Sequence, residues 1–133
     1  MKLKFTASAV IAAALTLTAC ATSPTGRNQV LLYSETQLAQ MGDQAFTGMK
    51  EELKISNKAV QNSYVECVAN AITAQVPATV FNGQWEVVVF DDEQVNAFAL
   101  PGGKIGVYTG LLNVAENQHQ LAAVIGHEVG HVI

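Results

Sequence analysis

The sequence predicts an α+β fold, and three observations carry that reading. Apolar residues recur at helical spacing through two segments of the first half. The pattern then changes to short β-branched and aromatic runs between Gln84 and Thr109. From Asn117 to the end at Ile133 it returns to helical spacing. The expected architecture is helices packed on a small sheet, with the last helix at the C-terminal end.

The chain opens on an address. Met1-Lys2-Leu3-Lys4 is positively charged, and Phe5 to Thr18 is an apolar run. That run is too short to span a bilayer comfortably, which takes about 20 residues. Leu17-Thr18-Ala19-Cys20 has the form of a bacterial lipoprotein box, whose cysteine is acylated and becomes the new first residue. The competing readings are an ordinary secretory signal and an uncleaved anchor. Residues 1–19 are thus read as a lipoprotein signal peptide, residues 20–29 as lipidated Cys20 and a polar tether, and residues 30–133 as the domain. Two acyl chains suffice for stable membrane attachment. By resemblance to sorting rules in enteric-type bacteria, Ala21 after the cysteine favours the periplasmic face of the outer membrane.

Losing Lys2 and Lys4 with the signal leaves five basic residues against eleven acidic ones, a net charge of −6. That balance argues against nucleic acid as a partner and against electrostatic docking on anionic lipid. With Cys20 acylated, Cys67 is the remaining thiol. Its place on an apparent helix face predicts a buried apolar side chain, the other reading being a disulfide to a cysteine lying elsewhere.

Ser34 with Gln37 forms a capping-box pattern, and Leu38, Met41, Ala45, Met49 and Leu53 follow at helical spacing. Asn57 is the expected cap of a second helix, with Val60, Tyr64, Cys67, Val68 and Ile72 along one side and Val76-Pro77 as its stop. Both stripes are read as core. Gln84 to Phe90 reads as a strand, and Asp91-Asp92-Glu93-Gln94 as a solvated turn rather than a metal site. Val95–Leu100 and Lys104–Thr109 read as two further strands joined by Pro101-Gly102-Gly103, where Pro then Gly suits a type II turn. Gly106 leaves one strand face bare, so another backbone could approach there. If Lys104–Thr109 lies at the sheet edge, a substrate could pair along Ile105, Gly106 and Val107 as an added strand. An ordinary hairpin is the other reading.

The last helix carries the chemistry. Asn117 and Gln120 form a capping-box pattern, and Leu121, Val124, Ile125, Glu128 and Val132 recur behind it. His127-Glu128-Val129-Gly130-His131 is an H-E-x-x-H motif, which sets two imidazoles one helical turn apart on one face. Two imidazoles suit Zn²⁺, and the carboxylate of Glu128 can take the proton of a water activated there, which is the chemistry of peptide-bond hydrolysis. The plainer reading is a helix end whose histidines favour the dipole. A catalytic zinc site normally has three protein ligands. No third can be assigned, so it is expected from earlier in the chain or from sequence beyond Ile133.

Asn96-Ala97-Phe98-Ala99-Leu100-Pro101-Gly102-Gly103, the strand and Tyr108-Thr109-Gly110-Leu111-Leu112 after it, and Leu121 to His131 together resemble the HtpX/CAAX-prenyl-protease family of zinc peptidases. Thr25-Gly26-Arg27-Asn28-Gln29 and the helix from Ser34 narrow the resemblance to its bacterial periplasmic lipoprotein branch, the LoiP-like type. The resemblance implies the N-terminal portion of a zincin-like domain, truncated before its third ligand, a glutamate on a later helix. It implies one Zn²⁺ per chain held by His127 and His131, and Glu128 as general base. It places Asn96 and the Pro101-Gly102-Gly103 turn near a cleft that takes protein or peptide substrates, envelope proteins among them. The alternative is a non-catalytic lipoprotein that binds or assembles partners.

Overall fold

A computed structural model describes residues 20–22, 26 and 28–133. The signal-peptide reading of residues 1–19 lies outside the described residues. Two units are present, one ending at Ser34 and one running from Glu35 to Ile133. In the first, strand β1 (Cys20–Thr22) pairs antiparallel with β2 (Asn28–Val30), Cys20 opposite Val30. Both strands lie at the segment read as a tether, and Gly26 between them takes a positive φ of 81°.

The second unit is α+β. Helix α1 (Glu35–Glu52) starts directly after Ser34. Its buried line is Gly42 and Phe46, with Met49 and Leu53 partly buried behind them. Met41, expected in the core, is exposed. The stripe is turned because Gly42 receives the backbone of Pro101: a Cβ at Gly42 would stand 2.0 Å from that carbonyl oxygen. Close approach of backbone, invisible in an apolar pattern, sets the face.

Helix α2 (Ala59–Thr73) corrects two expectations. Lys58, not Asn57, is the N-cap and makes no side-chain cap bond. The turn before it is held instead by Ser56, whose Oγ accepts from Lys58 N at 3.3 Å and whose C=O accepts from Asn62 Nδ2 at 2.9 Å. The buried face is Val65, Val68, Ala69 and Thr73. Val60 is 84% exposed, and Cys67 is an exposed free thiol rather than a core residue. This helix has apolar residues on two faces, and only one meets the sheet and the last helix.

Three strands form the sheet: β3 (Glu86–Phe90), β4 (Ala97–Leu100) and β5 (Lys104–Tyr108), in the order β3-β5-β4. β5 pairs parallel with β3, Val87 opposite Ile105, and antiparallel with β4, Ala99 opposite Ile105. The condition for a substrate to pair along Lys104–Thr109, that this strand lie at the sheet edge, is not met. Ile105, Gly106 and Val107 are buried at the centre of the sheet with backbone neighbours on both sides, so no added strand can pair there. The continuous apolar run from Ile105 to Tyr108 is what a strand covered on both faces looks like. Gly106 has a different use as well: Phe98 of β4, its cross-strand partner, lays its ring over the bare face.

The turn joining β4 to β5 needs its glycines. Gly102 and Gly103 both take positive φ, 88° and 77°. Pro101-Gly102 fits the type II expectation, and the second positive φ, at Gly103, goes beyond it. A Cβ on Gly103 would lie 2.7 Å from the Gln84 carbonyl oxygen. Lys104 Nζ then ties the turn to its surroundings, 2.8 Å from Glu86 Oε2 and 3.1 Å from Asp43 Oδ1, while Lys50 Nζ meets Glu86 Oε1. These bonds, that to Lys104 first and that to Lys50 next, hold the Glu86 carboxyl below its ordinary range, and the Glu86 bond raises Lys104.

Helix α3 (Thr109–Leu112) is a single turn, and α4 (Gln118–Gly130) completes the fold. Thr109 Oγ1 donates to Asp92 O at 2.9 Å and accepts from Asp92 N at 3.0 Å, which pins the β3–β4 connection to the end of β5. Val65, Val68 and Ala69 of α2, Leu121, Ile125 and Val129 of α4, and Val89, Ala97, Ile105 and Val107 of the sheet share one core.

Candidate metal centre on the last helix

Helix α4 is positioned from its first residue. Asn117, extended at φ −152° and ψ 169°, caps it: its Oδ1 accepts from His119 N at 3.0 Å and Gln120 N at 3.1 Å. Gln120 reaches back as the sequence pattern suggests, but one residue further, accepting from Glu116 N at 2.9 Å. Leu121, Ile125 and Val129, four apart, turn into the core. The helical period therefore sends His127 and His131 to the opposite, exposed side, with Glu128 half-buried.

His131 is the C-cap residue and keeps helical angles, φ −78° and ψ −18°, its N–H donating to Glu128 O. That preserves the one-turn spacing of the motif. The Nε2 atoms of His127 and His131 converge to 2.9 Å, with ring centroids 4.5 Å apart and planes at 89°. Two imidazoles on one tetrahedral zinc, each bond about 2.0–2.1 Å, set their nitrogens about 3.3 Å apart. The donor pair fits a single ion with a few tenths of an ångström of adjustment. Among the described residues no cluster of three His, Cys, Asp or Glu side chains forms, so none of them supplies a third ligand. His119 lies at the other end of α4 and stays outside the pair.

Gly126 and Gly130 each precede one of the two histidines. A Cβ on Gly126 would make only an ordinary contact with Ile72, 3.9 Å away, and one on Gly130 would meet nothing within 4 Å. No neighbour among the described residues therefore requires these two glycines.

The remaining residues singled out from sequence separate into groups. Asn96 is exposed just before β4, and its C=O accepts from Tyr108 N at 3.1 Å, extending the β4–β5 ladder. Pro101, Gly102 and Gly103 stand at the opposite end of β4, packed on Ala39 and Gly42 of α1 and on Phe81. Ile105, Gly106 and Val107 are interior. Sequence reasoning singled out β5 and not β4 as the strand beside the last helix. It is β4 that packs against α4, and no strand among the described residues pairs with its outer edge.

Comparison with known proteins matches the profile described as Peptidase family M48 to residues 56–133. The chain is 39% identical over 103 residues to the mitochondrial metalloendopeptidase OMA1 of Arabidopsis thaliana, covering 74% of this chain and 20% of that protein. It is 34% identical over 114 residues to the mitochondrial metalloendopeptidase OMA1 of Danio rerio, covering 82% and 24%. To the beta-barrel assembly-enhancing protease of Escherichia coli (strain K12) it is 25% identical over 96 residues, covering 72% and 19%. The chain thus spans about a fifth to a quarter of the length of these curated relatives.

Proposed function

This chain belongs to peptidase family M48, and we propose that it carries the metal-binding and general-base part of a zinc metalloendopeptidase of the bacterial envelope. The convergence of His127 and His131 Nε2 to 2.9 Å on the exposed side of α4 carries the reading. Those two nitrogens would hold zinc. Bound there, zinc supplies Lewis-acid polarisation of a carbonyl oxygen and lowers the pKa of water to about 7. Glu128, on the same helix turn, takes the proton of the attacking water and returns it to the leaving amine. The substrate backbone lies extended along the outer edge of Ala97–Leu100, where free strand groups hold it beside α4.

The lipid-anchored, LoiP-like placement rests on Leu17-Thr18-Ala19-Cys20 and on the apolar run before it. Envelope proteins as substrates find support in the name of the Escherichia coli relative, while the OMA1 relatives carry mitochondrial names. Mass spectrometry of the processed N-terminus, expected to show acylated Cys20, tests the anchor.

The activity is tested with Glu128→Gln. A protein that carries this segment together with the sequence supplying the third ligand should hold about one zinc per chain, and the variant should keep the metal and lose proteolysis of an unfolded substrate such as casein. Equal proteolysis by the variant sinks the general-base role. Undiminished binding of the same substrate by a zinc-free His127→Ala protein that never cleaves would favour a non-catalytic binding module.

A further inference from the structure

We propose that the outer edge of β3, on the far side of the sheet from the candidate metal centre, is a second strand-docking site that takes an extended polypeptide segment carrying a basic side chain. Among the described residues this edge is paired only near Phe90. There Ser56 N donates to Val89 O at 2.8 Å, Asp91 N donates to Lys54 O at 2.7 Å, and Ile55 stands opposite Phe90. At the other end Glu86 N donates to Gly103 O, so the even-numbered residues turn their backbone groups toward β5. Strand alternation then directs the N–H and C=O of Val87 and the N–H of Val89 outward.

Those groups open into a groove of about 190 Å³ between the strand and α2, lined by Ile55, Asn62, Glu66 and Val87–Val89. Asn62 stands at its wall, its Nδ2 donating to Ser56 O at 2.9 Å and its Oδ1 buried. The edge therefore offers two outward N–H donors and an outward carbonyl beside an apolar floor. That is the complement of a β-strand, whose N–H and C=O groups alternate at the same spacing. An apolar small molecule would leave these three backbone groups unmet. Glu66, an exposed carboxylate at the groove, selects a lysine or arginine on the incoming segment. The site uses neither histidine of α4, so it stands apart from the protease reading.

The test uses the whole protein and a capped peptide of alternating valine and threonine ending in lysine. Two controls accompany it: the same peptide N-methylated along its backbone, and one ending in glutamate. Fluorescence anisotropy should show the lysine peptide bound at least tenfold more tightly than either control. Hydrogen exchange should show protection of the Val87 and Val89 amides and none at Ala97–Leu100. Glu66→Lys, a surface change that leaves the fold alone, should reverse the lysine–glutamate preference. Equal binding of the N-methylated peptide, or protection of Ala97–Leu100 in place of Val87 and Val89, overturns the proposal. His127→Ala should leave this binding unchanged, so loss of the metal centre and loss of the groove read out separately.

Discussion

Phe98 lies across Gly106 from the neighbouring strand so closely that a Cβ on the glycine would stand 2.2 Å from the ring's Cζ. The ring has little room to withdraw. Its centroid is 6.1 Å from that of Phe46, 6.2 Å from Phe90 and 6.0 Å from Tyr108. Bare glycine and aromatic cover act as a pair, which fixes the register of the edge strand on the central one. Gly106→Ala should therefore destabilise the protein by about 1–3 kcal/mol, the cost of overpacking a filled core. Urea denaturation measures it. Adding Phe98→Leu should recover part of the loss, and additive losses would show that the ring is not the obstacle.

The cap of α4 gives a second prediction, because one side chain holds two N–H groups at the start of the helix that carries the motif. Asn117→Ala should cost about 1 kcal/mol. Asn117→Asp keeps the acceptor and places a negative charge at the helix N-terminus, so it should cost far less. Thermal unfolding of the two variants separates cap loss from any other effect at this position. Equal destabilisation by both would rule out the hydrogen bonds as the cause.

What was legible in the sequence was local. The α4 cap, the spacing of the two histidines and the Pro101-Gly102 turn each depend on residues within one turn of one another, so spacing alone places them. The misreadings were non-local. Which apolar face of α2 is buried depends on the sheet and α4, and that choice put Cys67 outside. Whether β5 is an edge depends on the parallel pairing with β3, whose residues lie well before it in the chain. Gly42 shows the same limit: its reason is the carbonyl of Pro101, nearly sixty positions away. The two motif histidines do share one helix face, as their spacing indicates, whereas the strand with the free edge was placed one strand too far in.

The Glu86–Lys104 pair predicts a pH dependence with a definite sign. Glu86 is held below its ordinary value of 4.5, chiefly by Lys104 and then by Lys50. A depressed carboxyl stabilises the fold at any pH above its ordinary value, and that stabilisation is lost as pH falls through the lowered one. Lys104, raised above 10.5, behaves oppositely, losing its contribution only as pH rises beyond that value. Stability from Glu86 should thus be flat through neutral pH and fall below about pH 4.5. Because the Glu86 side chain is 37% exposed, solvent screening keeps the effect small. Glu86→Gln should flatten the acid limb of a stability-against-pH curve; an unchanged limb would assign it to other carboxylates.

Metal binding supplies the last prediction, and it separates the two roles written into the motif. An ion bound by the folded but not the unfolded chain stabilises by mass action, about 2.7 kcal/mol at a free concentration one hundred times its dissociation constant. Zinc titrated into metal-free protein should therefore raise the unfolding midpoint. His127→Ala or His131→Ala should abolish the rise, since each removes one of two nitrogens that converge to 2.9 Å. Glu128→Gln should keep the rise intact, because in the proposed mechanism the carboxylate acts on water and is not a ligand. A Glu128→Gln protein that no longer responds to zinc would move Glu128 into the ligand set, and the general base would then have to be sought elsewhere in the chain.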